Sequence, residues 1–147
     1  MNVKIYSRKA MEKLIGENFP EKTAVISFYD PVMQKLDSEY RPVDYQGKPT
    51  VLMQIPLFDT GEDEIDDYDS CFPEAEELAQ FIRYAYENGL NIICQCDYGQ
   101  SRSAGCASAI LEYYHQTGLM FFLNPQYSPS KLVFDKVFDA LQRLEEL

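Results

Sequence analysis

Cys96 and Arg102, with Gly99 midway between them, are the pair in this sequence best suited to covalent chemistry. They lie in the segment Ile92-Ile93-Cys94-Gln95-Cys96-Asp97-Tyr98-Gly99-Gln100-Ser101-Arg102-Ser103-Ala104-Gly105. A cysteine is a useful nucleophile only as its thiolate, and its free pKa of about 8.5 falls by several units beside a cation or a helix N-terminus. Arginine is a permanent cation whose planar fork fits two phosphate oxygens. Gly99 lets the backbone curl and approach a ligand closely. Ser103 can donate a hydrogen bond to the sulfur. A thiolate, a guanidinium and a curled backbone together suit nucleophilic attack on a bound oxyanion.

These groups work only if the chain places them together. Asn91–Gln95 is a short apolar run that reads as a buried strand, delivering Cys96 to its C-terminal end. A helix is expected over 103–116, with Ala104, Ala107, Leu111 and Tyr114 on one side and Gly118 as its stop. A loop running from a strand into a helix N-terminus points unpaired N–H groups at one spot, which favours an anion there. Upstream, Val3–Tyr6 reads as a strand, and Ser7 as the cap of a helix with Ala10, Met11, Leu14 and Ile15 on one face, ending at Gly16. Thr23–Tyr29 is β-branched and aromatic and predicts a buried strand that Asp30-Pro31 ends. Residues 31–49 read as a loop or a small excursion, 50–58 as a strand, and 59–72 as a strongly acidic loop. Pro73 and the glutamates after it suit a helix start, carrying Leu78, Phe81, Ile82 and Ala85 to an Asn88-Gly89 stop. Pro129 opens a last helix with Val133, Val137, Leu141 and Leu144 at helical spacing. Strands alternating with helices predict an α/β fold, a central mostly parallel sheet flanked by helices, in one domain over 1–147.

Cys-x-x-Gly-x-x-Arg-Ser, Cys96 to Ser103, resembles the signature loop of the protein-tyrosine-phosphatase superfamily. With a strand before it, a helix after it, and its place two-thirds along the chain, it is most similar to the compact dual-specificity-like phosphatases of small bacterial type. The low-molecular-weight phosphatases carry their loop near the N-terminus and fit less well. The resemblance implies that Cys96 attacks phosphorus to form a phosphocysteine. Arg102 and the N–H groups of Asp97, Tyr98, Gly99, Gln100, Ser101 and Arg102 would hold the phosphoryl oxygens, and Ser103 would stabilise the thiolate as it leaves. It implies no metal and no cofactor. It also implies an aspartic acid on another loop, which protonates the leaving oxygen and then activates water. Asp59, directly after the strand over 50–58, is the candidate, with Asp63 and Asp66 as rivals. The sequence departs from the family pattern at two positions. Gln95 stands where histidine is usual, and Asp97 adds a carboxylate beside an anion site. If Asp97 points outward it leaves the site open; if inward, it weakens phosphate binding.

The bulk numbers limit the alternatives. The chain has 147 residues, 46% apolar and 25% charged, which is globular composition. Its net charge of −11, with no basic face visible, argues against nucleic acid as a partner. No apolar run reaches the roughly 18–20 residues that cross a bilayer, and residues 1–8 hold no apolar signal segment, so a soluble cytoplasmic protein is expected, not membrane-bound. The expected partner is a phosphorylated protein or a small phosphomonoester; nothing in the sequence sets the oligomeric state. The four cysteines match no zinc site, and there is one histidine.

Other residues read more plainly. Cys94 is a small apolar strand residue, or a trap for an oxidised Cys96 across a strained ring. Cys106 reads as helix packing, Cys71 as an ordinary loop thiol and His115 as a surface residue. The acidic run over 59–69 lacks EF-hand spacing and reads as a solvated loop. Tyr29, Tyr40 and Tyr45 could wall an aromatic substrate or simply pack. Three functions fit the loop: a phosphomonoesterase for phosphotyrosine or mixed phosphorylated side chains, an inactive module that captures phosphorylated ligands, and other thiol chemistry such as arsenate reduction or sulfur transfer. The intact Cys96, Arg102 and Ser103 favour the first. A loop without lysine disfavours phosphoinositides.

Overall fold

A computed structural model describes residues 1–59, 68 and 70–146. Its sheet has four parallel strands in the order β1-β4-β2-β3. These are β1 (Val3–Tyr6), β2 (Thr23–Tyr29), β3 (Val51–Pro56) and β4 (Asn91–Gln95). The helices are α1 (Arg8–Ile15), α2 (Pro31–Leu36), α3 (Ala75–Glu87), α4 (Arg102–His115), α5 (Met120–Leu123) and α6 (Lys131–Glu145). The mostly parallel sheet flanked by helices is thus as the alternation of patterns predicts.

The sequence explains most of these boundaries. Ser7 accepts the Ala10 N–H and starts α1. Asp30 accepts the N–H groups of Val32 and Met33 and, with Pro31 as the first helical residue, starts α2. Ser130, next to Pro129, caps α6 through the Val133 N–H. α4 ends one residue before Gln116, which takes a left-handed conformation with φ 59°. Two short helices, α2 and α5, lie where a loop and a chain turn are expected, because helices this short show no periodicity.

Burial follows position in the sheet. The inner strand β2 is buried on both faces up to Phe28, whereas the edge strand β3 alternates. On one face α3, α4 and α6 cover Ile26, Phe28, Ile92 and Cys94. On the other, α1 and a segment carrying Val43 and Tyr45 cover Val25 and Ile93. Each such aliphatic side chain contributes about 1.5–3 kcal/mol on burial. β4 is an inner strand between β1 and β2, so its C-terminal end opens at the middle of the sheet edge. Ligands bind there in open α/β folds.

Candidate active site

The loop from β4 to α4 is fastened from outside through its carbonyls. The Arg8 N–H donates to Asp97 O at 3.1 Å, Ser128 to Gln100 O at 2.9 Å, and Ser130 to Ser101 O at 3.0 Å. The amides are treated differently: among the described residues, none of the N–H groups of 97–102 finds an acceptor. Gly99 turns the chain with φ +67°, and a Cβ there would lie 2.7 Å from Ser7 N. That position therefore needs glycine both for its dihedral and for its approach to the start of α1. Carbonyls tied outward and amides left open, at a helix N-terminus, suit an anion.

Cys96 sits at the base of this loop, 2% exposed. Ser103 Oγ lies 3.0 Å from its sulfur, and the Ser103 N–H donates to the sulfur at 3.4 Å. Arg102 is 3% exposed. Its Nη1 donates to Leu57 O at 2.8 Å, its Nη2 lies 3.5 Å from Asp97 Oδ2, and its Nε has no partner among the described residues. A buried guanidinium N–H without an acceptor is costly unless a ligand supplies one. Oxyanion oxygens would satisfy the Nε edge together with the loop amides, so the donor set fits an anion.

The Arg102–Leu57 hydrogen bond also fixes the chain as it leaves β3, two residues before Asp59. Asp59 Oδ1 accepts from Ser101 Oγ at 3.0 Å, which brings the proposed acid against the loop. Its rivals Asp63 and Asp66, and most of the acidic run, lie outside the described residues.

Strand alternation puts Gln95 on the opposite face from Cys96. Its side-chain oxygen accepts from Ser27 Oγ at 2.5 Å and from Tyr45 Oη at 2.9 Å. Gln95 thus knits β4 to β2 beneath the loop, a link that pattern reading missed because both partners are distant in sequence. Tyr45 is buried, and burial drives its phenol far above the ordinary value, so it packs and does not wall a substrate. Tyr40 does reach the site. Its hydroxyl accepts the Asp30 N–H at 2.9 Å and donates to Asp97, whose oxygens lie at 3.0 and 3.1 Å. Burial raises the Tyr40 phenol above its usual value; the Asp30 N–H lowers it, and the Asp97 carboxylate raises it further. Asp97 therefore points inward, toward Arg102.

Cys94 on β4 and Cys106 on α4 are buried in the core, and burial, with Cys106 as neighbour, pushes the Cys94 thiol well up. His115 is exposed, and Cys71 is partly so. No helix among the described residues is long and apolar enough to cross a membrane.

No family model matches the sequence, and no curated protein matches it. Solved structures do match in fold. A mouse putative dual specificity phosphatase complexed with zinc tungstate superposes with a TM-score of 0.59 at 16% identity, covering 98% of this chain and 84% of the other. Human DUSP28 gives 0.57 at 15%, covering 98% and 94%. PTPMT1 in complex with PI(5)P gives 0.57 at 11%, covering 99% and 93%. The chain has the dual-specificity-like fold of the protein-tyrosine-phosphatase superfamily.

Proposed function

We propose that the chain, as one domain over 1–147, is a cysteine-dependent phosphatase that hydrolyses phosphomonoesters through a phosphocysteine. One observation carries this reading above the others. Among the described residues, the six consecutive loop amides that follow Cys96 have no acceptor, and the same loop runs into the buried Arg102, whose Nε has no partner. Such a nest neutralises a phosphoryl group as charge shifts onto its oxygens in the transition state. The match to the mouse phosphatase complexed with zinc tungstate, a complex of an oxyanion, supports the same use of this fold.

In the first step Cys96 Sγ attacks phosphorus, a S–P bond forms, and the P–O bond to the alcohol or phenol breaks. Asp59 supplies the proton that the leaving oxygen takes. In the second step water, deprotonated by Asp59, attacks phosphorus, and Cys96 leaves as thiolate facing the Ser103 hydroxyl and N–H. Arg102 and the N–H groups from Asp97 to Arg102 bind the oxygens in both steps. Substrates would be phosphorylated proteins or small phosphomonoesters in a soluble, cytoplasmic setting.

The test is turnover of para-nitrophenyl phosphate by the wild type and by Cys96→Ser. The expected result is a loss of at least about a thousandfold in kcat for the serine variant. Turnover that survives the substitution assigns the chemistry elsewhere. Tight phosphopeptide binding without turnover in the wild type assigns the chain to a phosphate-binding module.

A further inference from the structure

Arg102 needs an undiminished positive field to hold a phosphate, yet the residue after the nucleophile puts a carboxylate on it. Asp97 Oδ2 lies 3.5 Å from Nη2. The carboxylate is held in this position. The Tyr40 hydroxyl spans both of its oxygens, at 3.0 and 3.1 Å. That hydroxyl already accepts the Asp30 N–H, so its single proton serves Asp97. Asp30 in turn caps α2, and the Tyr40 ring lies under the Arg8 guanidinium at 5.3 Å. Asp97 is thus braced from a segment remote in sequence.

The surroundings extend this charge outward. Beside Asp97 opens a groove of about 580 Å³, reaching past the exposed Tyr98 and Met33. Its charged lining is Arg8 and Lys9 against Glu12, Asp37 and Asp97, two cations facing three carboxylates. Arg8 is already engaged by Glu12 at 3.7 Å and by the Arg41 carbonyl. A phosphate seated on Arg102 would therefore have the Asp97 carboxylate against it and two more carboxylates along the groove.

On the phosphatase reading, we propose that Asp97, fixed by Tyr40, is a specificity-determining residue. It competes with substrate phosphate for Arg102 and selects a lone phosphomonoester on a peptide whose neighbouring residues are neutral or basic. A second anionic group close to the phosphate meets Asp97 first and the groove carboxylates next. At a partly exposed site, one such like-charge encounter costs about three- to tenfold in affinity. Phosphopeptides with acidic flanks and polyphosphorylated small molecules are the ligands so rejected.

The test uses the full chain and Asp97→Asn, which removes the charge and keeps an acceptor for Tyr40. Calorimetric binding of inorganic phosphate is read first. The variant is expected to bind it about three- to tenfold more tightly. Equal or weaker binding by the variant, or no binding by either protein, overturns the inference. Two phosphotyrosine peptides follow, identical except for lysines or glutamates beside the phosphotyrosine. The wild type is expected to favour the lysine peptide about tenfold in kcat/KM, and the variant by less than about threefold. A wild type indifferent to the flanks, or a preference unchanged in the variant, also overturns it. If neither peptide is hydrolysed while the variant binds phosphate more tightly, the catalytic reading fails and competition by Asp97 is supported.

Discussion

On the phosphatase reading, Asp59 carries the heaviest chemical demand at the scale of single residues. Its carboxyl is exposed but pinned to the loop by Ser101, and the Leu57 carbonyl just before it is bound by Arg102. A general acid matters in proportion to how poor the leaving group is. Asp59→Asn is therefore expected to slow hydrolysis of an alkyl phosphate by about two to four decades, and that of para-nitrophenyl phosphate much less. Steady-state kinetics on the two esters checks this; equal effects on both would remove Asp59 from the proton path. Cys96, Gly99, Arg102 and Ser103 are legible in the sequence because backbone curvature, sulfur chemistry and phosphate geometry each restrict their position to few residue types. The inward turn of Asp97 is not legible, because its cause is Tyr40, 57 positions away. Nor is the function of Gln95, whose partners Ser27 and Tyr45 come from elsewhere in the chain.

At the scale of elements, the start of α6 supports the loop from β4 to α4. The segment before it donates N–H groups to Gln100 O and Ser101 O, and Ser130 there also caps the helix. Gly105, in the first turn of α4, makes this approach possible, since a Cβ on it would lie 2.5 Å from Ser130 O and 3.2 Å from Val133 Cβ. Gly105→Ala forces α6 away. The expected cost is about 1–3 kcal/mol, the usual range for overpacking. Thermal denaturation should register it at about 2–4 °C per kcal/mol. Because Ser130 moves with α6, kcat should fall as well; an unchanged Tm and kcat would show that α4 and α6 do not press together here. The strands and long helices were readable from periodicity and caps: Ser7 and the run Asn91–Gln95 signal their elements locally. α2 and α5 were not, since six and four residues hold too few turns to show a stripe.

At the scale of the whole molecule, the core sets a limit at high pH. Burial pushes the Cys94 thiol well up, with Cys106 and Cys96 adding to it, and burial with Tyr86 beside it pushes the Tyr114 phenol up to about 12. A group whose folded pKa is raised holds its proton better in the native state. The stability it contributes is complete below its unfolded pKa and is lost as pH climbs from that value to the folded one. The thiol therefore begins to weaken the fold from about pH 8.5 and the phenol from about pH 10. Urea midpoints are expected to fall steadily between about pH 8 and pH 11, and Cys94→Ala to flatten the first part of that fall. A midpoint that rises over this range contradicts the assignment of the core thiol.

On the phosphatase reading, the sulfur of Cys96 takes the phosphoryl group. Rapid-quench mass spectrometry of the wild type, mixed with excess para-nitrophenyl phosphate, reads this directly. One phosphoryl group is expected on the peptide containing Cys96, gone once substrate is exhausted and absent in Cys96→Ser. Hydrolysis that proceeds with no adduct on Cys96, or with the phosphoryl group on another side chain, would contradict it.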